Sequence, residues 1–179
     1  MSTTVFLGLG SNDQPRRNIR LALDLLQECF GALQVSPVFA NAPLATAAVA
    51  PDAELYFNLV VSAVCNVPAG ELKQQLRRIE ERCGRVHASG DCLEKNPVCS
   101  LDIDLLLYGD AVGDVDGVVL PHPDVLRRAY VLYPLSLLVP SGRHPQLQQT
   151  FAELWRGFGK SRWELKPVAP FLPDYSLQQ

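Results

Sequence analysis

The chain contains 179 residues with a mass of 19.7 kDa, which is a typical length for one domain. Hydrophobic residues make up 47% of the sequence and charged residues 20%, and this balance excludes a disordered, collagen-like or coiled-coil chain. The formal net charge of −3 gives no basic excess of the kind that binds nucleic acid or an anionic membrane, although a few local cations could hold a nucleotide-sized anion.

Nothing in the sequence predicts export or insertion into a membrane. No apolar run approaches the roughly 20 residues that a membrane-spanning helix requires. The five cysteines show no spacing typical of a disulfide framework. We therefore expect a cytoplasmic protein with reduced thiols, and we expect it to be a monomer.

The first half of the chain predicts two strands, each followed by a helix. An apolar run at 3–9 ends at Gly10 and predicts a buried strand and a turn. Apolar residues then recur at helical spacing from Pro15 until Gly31. After an extended segment at 35–39 and a loop at 40–54, residues 56–67 are rich in β-formers and predict the second strand.

The second half adds a helix, a third strand and a helical region. The helix opens at Pro68 and ends at Gly84; Leu72, Leu76 and Ile79 form its apolar face, and its charged residues, Glu80 among them, are expected to cover the rest. The remaining predicted elements are a loop at 85–99, a strand at 101–108, a short extended piece at 118–120, helical structure from Pro121 with an apolar segment at 129–138, and a last helix at 148–157.

This order favours an α+β fold in which helices pack on one sheet. A ferredoxin-like split βαβ arrangement with antiparallel strand pairs fits the order best. We expect a single domain over residues 1–160 and a tail over residues 161–179, to which we assign no role.

The sharpest local motif is Asp102-Ile103-Asp104 inside the third strand. Side chains alternate along a strand, so the two aspartates share one face, with their Cα atoms about 7 Å apart. Two carboxylates at that separation can converge on one hard cation or a close pair, and Mg²⁺ typically takes one or two carboxylates and fills its shell with water and phosphate oxygens. The ordinary alternative is a half-exposed strand with two solvated acids.

Other polar residues are ambiguous when each is taken alone. Gly10-Ser11-Asn12 can be a plain turn. Asn58 lies in an apolar strand, where either a flat heterocycle or neighbouring backbone could form the hydrogen bonds of its amide. His122 can be a histidine that forms only structural hydrogen bonds. Three cysteines and a histidine raise the alternative of a zinc site, but their spacing is wider than zinc sites usually have, so ordinary thiols are favoured. This set is Cys83, His87, Cys92 and Cys99.

Taken together and in order, these segments resemble the 6-hydroxymethyl-7,8-dihydropterin pyrophosphokinase family of folate biosynthesis. The matching segments are FLGLGSN at 6–12, PL at 43–44, YFNLV at 56–60, IEERCGR at 79–85, LDIDLLLYG at 101–109, LPHP at 120–123 and RRAYVLYPL at 127–135. The resemblance implies a ferredoxin-like fold. It also implies transfer of a pyrophosphoryl group from ATP to the hydroxymethyl group of a dihydropterin, with AMP as the other product.

The resemblance also implies a set of site residues. Asp102 and Asp104 would hold two Mg²⁺ ions and, with Arg85, would form the catalytic set. Residues expected to bind the pterin are Pro43, Leu44, Tyr56, Asn58 and Tyr130. Residues expected to bind the nucleotide are Arg85, His122 and Arg128.

The approach to the aspartate strand departs from the family pattern. The family usually has a G-P-R-T type sequence there, whereas residues 96–100 read NPVCS and lack the arginine. His87 also replaces a common arginine, and only Lys95 and Arg85 supply positive charge nearby. A relative that binds pterin or nucleotide with weak or altered activity is therefore the alternative function, and a ferredoxin-like interaction domain without a small ligand is a third.

Overall fold

The computed structural model describes residues 2–42, 55–85, 99–159, 164–170 and 172. The strands are β1 (Thr3–Ser11), β2 (Gln34–Val35), β3 (Phe39–Asn41), β4 (Tyr56–Cys65), β5 (Asp102–Tyr108), β6 (Gly113–Val115), β7 (Val118–Leu120) and β8 (Lys166–Pro167). The helices are α1 (Pro15–Phe30), α2 (Ala69–Arg82), α3 (Asp124–Arg127), α4 (Ala129–Leu138) and α5 (Phe151–Gly157). None of these helices is both long and apolar enough to cross a membrane.

The main sheet has the strand order β5-β1-β4-β3-β8, and β2 also pairs with β4. All of these strand pairs are antiparallel. Helix α1 connects β1 to the β2–β3 edge, and α2 connects β4 to β5, so two β-α-β units interleave in one sheet. The predicted α+β fold class with a split βαβ layer is confirmed.

One face of the sheet packs against α1 and α2. Alternate residues of β1, Val5, Leu7 and Leu9, are buried on this face. Helix α1 presents Ile19 and Leu23 to the same cluster, at the four-residue spacing that places side chains on one helix face. This cluster forms the larger core of the domain.

The opposite face packs against α4 and α5 over only part of its length. Helix α5 begins with Phe151, which is buried against α4, and Thr150 and Glu153 close its first turn as a capping box. In β5, Leu106 is an extra residue relative to β1, and this irregularity places both Leu106 and Leu107 in the second core. The rest of this face, toward the start of β5, is the part that carries polar side chains.

Several element boundaries differ from the predicted ones. The last helix begins at residue 151 rather than 148, because Thr150 caps it. Strand β4 ends at Cys65, two residues before the predicted end. The sequence did not predict β6 or β8; Lys166–Pro167 pairs with Phe39 and Ala40, so part of the tail extends the sheet. The division at residue 160 stays a prediction, and the predicted loops lie mostly outside the described residues.

Candidate active site

A strip of bare backbone forms the floor of the candidate site. Gly10 in the central strand β1 lies opposite Asn58 of β4 on one side and Asp102 of β5 on the other. Gly8, two residues earlier on the same face, lies opposite Asp104. With neighbouring strands about 5 Å apart, the backbones of Asn58 and Asp102 are separated by roughly 10 Å. The side chain of Asn58 extends over Gly10, with its Oδ1 3.0 Å from the point where a Cβ on Gly10 would sit, and Leu106 packs over Gly8.

The two aspartates line one wall of this cleft. The side chains of Asp102 and Asp104 are each 44% exposed, whereas Ile103 between them is buried. Desolvation by burial raises the pKa of Asp104, the charge of Asp102 raises it further, and His122 opposes the shift. At Asp104, burial and the neighbouring carboxylate of Asp102 therefore outweigh the nearby positive charge in their effect on the pKa.

The donor set of this wall fits a hard divalent cation. Both side chains are carboxylates on the same face of β5, and a Mg²⁺ ion there would complete its shell with water and phosphate oxygens. The described residues contain no cluster of three or more His, Cys, Asp or Glu side chains that could hold a metal. An ion here would thus take most of its ligands from substrate and solvent.

Arg85 reaches the aspartate wall from the end of α2. Its Nη1 donates to the Asp102 carboxylate, to Glu80 Oε1 at 2.9 Å and to the carbonyl oxygen of Leu101 at 3.1 Å. Burial alone would lower the pKa of Arg85, but the hydrogen bond to Asp102 and the charges of Asp102 and Glu80 outweigh it and raise the pKa. Arg85 is therefore a cation already shared by two carboxylates.

Glu80 is a site residue that the sequence analysis placed wrongly. It was expected on the charged surface of α2, but it is 5% exposed, and its Oε1 accepts a hydrogen bond from the backbone N–H of Ile103 at 2.7 Å. Positions 72, 76 and 80 are four residues apart and share one helix face, so the spacing was a signal that Glu80 is buried. Among the described strands, β5 pairs only with β1, so the outward N–H of Ile103 needs this acceptor.

The turn after β7 brings His122 to the second aspartate. The backbone N–H of His122 donates to Leu106 O at 2.9 Å, and its Nδ1 accepts from the N–H of Asp124 at 3.3 Å. The other ring nitrogen, Nε2, is therefore the one that carries a proton, and it lies 3.9 Å from Asp104 Oδ1. The structure thus places His122 against the aspartate wall, and its predicted nucleotide-binding role stays a prediction.

Arg128 lies at the start of α4, one turn after Asp124. Its Nε is buried and lies 3.5 Å from Asp124 Oδ1, and no group in the described ranges gives this nitrogen a hydrogen bond of acceptable geometry. A buried donor without an acceptor is costly, so a bound oxyanion would gain from meeting it. This agrees with the predicted nucleotide-binding role, which stays a prediction.

Two tyrosines lie within electrostatic reach of the aspartates. Burial raises the pKa of Tyr130 to about 12, and the charges of Asp104 and Asp102 add to the shift. Burial also raises the pKa of Tyr56, with further contributions from Cys99 and Asp102. The predicted pterin residues Pro43 and Leu44 lie outside the described residues.

The predicted turn at Ser11 and Asn12 forms hydrogen bonds with the segment that precedes β5. Ser11 Oγ donates to Ser100 O at 2.6 Å, and Asn12 exchanges hydrogen bonds with the backbone of Cys99: its N–H donates at 3.0 Å and its Oδ1 accepts at 2.6 Å. These bonds hold the segment that leads into Asp102. Cys83 and Cys99 are free thiols; His87 and Cys92 lie outside the described residues.

Comparison with known proteins identifies the family. Residues 6–140 match the family described as 7,8-dihydro-6-hydroxymethylpterin-pyrophosphokinase (HPPK). A Pseudomonas aeruginosa protein named 2-amino-4-hydroxy-6-hydroxymethyldihydropteridine pyrophosphokinase is 35% identical over 156 residues, which cover 82% of this chain and 91% of that protein. The chain belongs to the HPPK family. It is accordingly an ATP-dependent diphosphotransferase that transfers pyrophosphate from ATP to hydroxymethyldihydropterin in folate biosynthesis.

Further relatives support the family and the fold. A protein of the same name from Aquifex aeolicus is 29% identical over 151 residues, covering 84% of this chain and 89% of that protein. Among solved structures, wild-type Plasmodium falciparum HPPK-DHPS with pteroate matches with a TM-score of 0.65 at 14% identity over 87% of this chain. This chain covers 44% of that solved chain, so the likeness concerns the fold of one part of it.

Proposed function

We propose that the cleft over Gly8 and Gly10 performs the pyrophosphoryl transfer of the family with Asp102 and Asp104 as the metal-binding residues. The observation that carries this assignment is the placement of the two carboxylates and of Asn58 on opposite sides of Gly8 and Gly10, which contribute no side chain. The gap between them brings a metal-bound triphosphate and a flat heterocycle side by side. We further propose two Mg²⁺ ions, because the family resemblance implies them and two aspartates on one strand face can converge on a close pair of ions.

The chemistry requires alignment and charge neutralisation more than covalent help. The hydroxymethyl oxygen forms a bond to the β-phosphorus of ATP, the bond from that phosphorus to the oxygen bridging it to the α-phosphorus breaks, AMP leaves, and the hydroxyl proton passes to solvent. Bound Mg²⁺ would offset the charge that develops on the phosphate oxygens. The protein's part is to hold the alcohol and the triphosphate in line.

The cationic groups of the wall would complete the neutralisation. Arg85, held by Glu80, and the Nε2–H of His122 both lie at the carboxylates, so they would meet oxygens of a triphosphate bound there. Arg128 offers a buried N–H that a phosphate oxygen could satisfy. Tyr130 and Tyr56 would contact the heterocycle, and Asn58 would bind its hydrogen-bonding edge.

A coupled assay for AMP tests the proposed function directly. Purified protein with ATP, Mg²⁺ and 6-hydroxymethyl-7,8-dihydropterin should release AMP, and the Asp104→Asn variant should not. The matched control is Asp114→Asn in the exposed β6 strand, which should keep full activity. Absence of AMP with folded wild-type protein would refute the proposed function.

Weak activity is the second candidate, and one sequence feature favours it. Residues 86–98 contain no arginine, and Lys95 is their only cation besides His87. An arginine that stabilises transition-state charge can contribute several orders of magnitude in rate. Tight binding of pterin and ATP with little AMP would identify this case, and Val98→Arg, a position outside the described residues, should then raise turnover.

We also propose that the protein acts as a monomer in the cytoplasm. The free thiols among the described residues support the compartment. Sedimentation in the presence and absence of ATP would test the monomer.

A further inference from the structure

Two buried asparagines join the floor of the cleft to the edge of the sheet. Asn58 in β4 is 7% exposed, and Asn41 at the end of β3 is 8% exposed. Asn58 Nδ2 donates to Asn41 Oδ1 at 2.6 Å, and Asn41 Nδ2 donates to the carbonyl oxygen of Ala42 at 2.9 Å. The three residues thus form a short chain of hydrogen bonds in which every donor points away from the cleft.

This chain has only one consistent direction. An amide can be turned end for end at little steric cost, so its hydrogen-bond neighbours decide its orientation. The carbonyl of Ala42 can only accept, so the NH₂ group of Asn41 must face it and the oxygen of Asn41 must face Asn58. Asn58 must then meet that oxygen with its own NH₂ group.

The consequence for the cleft is that Asn58 presents its oxygen to the ligand. Asn58 Oδ1 lies 3.0 Å from the point where a Cβ on Gly10 would sit, which is directly over the floor strand. Within the part of the chain that the structure describes, this oxygen has no hydrogen-bond donor. It is an acceptor for an N–H group of a heterocycle.

We propose that Asn41 is a positioning residue that sets the specificity of the heterocycle site, because it holds the amide of Asn58 with the oxygen toward the ligand. This inference rests on the proposed function, in which Asn58 binds the pterin. The site then selects a heterocycle edge that donates N–H and disfavours an edge that offers an acceptor at the same point. Asn41 itself acts through Asn58 rather than on the ligand.

The test is a double-mutant cycle of Asn41→Ala and Asn58→Ala, read by calorimetric binding of 6-hydroxymethylpterin without ATP and by steady-state kinetics. Asn41→Ala frees the amide of Asn58, so the Kd and KM for the pterin should rise about tenfold, the value of one oriented hydrogen bond. The KM for ATP should stay the same. In the Asn58→Ala background, Asn41→Ala should have no further effect on pterin binding, because its only route to the ligand is gone.

Ser36→Ala is the matched control. Ser36 is equally buried, and its Oγ accepts from the N–H of Val60 in the same strand as Asn58, so its loss disturbs the sheet without touching the amide. It should lower stability and leave the Kd for the pterin unchanged. If Asn41→Ala does not fold, Asn41→Ser replaces it in the cycle, because the serine side chain is too short to form hydrogen bonds with both Ala42 and Asn58.

The outcomes separate this inference from the proposed function. Wild-type protein that neither binds the pterin nor releases AMP refutes the proposed function. Active wild-type protein in which the effects of Asn41→Ala and Asn58→Ala simply add, or in which Asn41→Ala raises the KM for ATP as much as that for the pterin, refutes the role of Asn41 alone.

Discussion

Glu80→Gln should remove a loss of stability that the wild-type protein undergoes as the pH rises through neutrality. Burial raises the pKa of Glu80 to about 7 from its ordinary value of 4.5, although the hydrogen bond from Ile103 and the charge of Arg85 lower it. The ion pair with Arg85 therefore does not fully offset the cost of removing the carboxylate from water. Glutamine keeps an oxygen for Ile103 and Arg85 and never ionises.

The direction in which stability changes with pH follows from the linkage between protonation and folding. The pKa of Glu80 is raised in the folded state, so its contribution to stability is complete below pH 4.5 and is lost as the pH rises through 7. A shift of this size corresponds to roughly 3 kcal/mol. The stability of Glu80→Gln relative to wild type should therefore increase by about that amount between pH 4.5 and 8. Asp104 shifts in the same direction, but it is present in both proteins and cancels.

Urea denaturation from pH 4.5 to 8, without metal or nucleotide, measures this difference. Glu81→Gln is the matched control, since it makes the same chemical change at the neighbouring exposed position and should run parallel to wild type. Parallel curves for Glu80→Gln and wild type would refute the reasoning. A variant that becomes less stable than wild type as the pH rises would mean that the pair with Arg85 outweighs the desolvation of Glu80.

Three further predictions concern the cleft and a loop. Asp104→Asn should abolish Mg²⁺-dependent AMP release, measured by the coupled assay, while the urea midpoint falls little or rises, because a repelling charge is removed. Gly10→Ala should raise the KM for the pterin in steady-state kinetics, because its methyl group would lie 3.0 Å from Asn58 Oδ1 and displace it. His144 Nδ1 accepts hydrogen bonds from two backbone N–H groups, and burial lowers the pKa of His144. His144→Ala should therefore lower the free energy of unfolding in urea by about 1–3 kcal/mol above pH 6.5. The loss should shrink progressively below pH 6.5, because protonated His144 cannot accept these hydrogen bonds in the wild-type protein.

The fold was predictable because its main elements are locally unambiguous. The run at 3–9, the helical spacing after Pro15 and the β-formers after Tyr56 each allow one interpretation, and their order leaves few topologies. Strand β8 was not predictable, because a two-residue strand that contains a proline has no periodicity of its own. Its partner β3 determines its pairing, and that contact joins positions far apart in the sequence.

The sequence was sufficient to predict the residues that line the cleft, but not the buried residues that form hydrogen bonds behind them. Asp102 and Asp104 share a face by strand alternation alone, so their pairing is a local property. Glu80 and Asn41 act through contacts across 23 and 17 positions of sequence, with Ile103 and Asn58 respectively. Charge and polarity favour the surface for both residue types, and only the tertiary fold shows that each satisfies a buried partner.

If divalent ions bind at Asp102 and Asp104 as proposed, the charges of the cleft give a reason why nucleotide would enter it together with a metal. The aspartate wall carries two carboxylates, and Arg85, which lies against it, is already shared with Glu80. Arg128 likewise lies beside Asp124, and His122 beside Asp104. A triphosphate approaching this wall would meet arginines whose charge is largely offset by their carboxylate neighbours, together with two like charges at close range. Divalent ions held by Asp102 and Asp104 would remove both obstacles, because they would neutralise the wall and leave Arg85 with Glu80 as its partner.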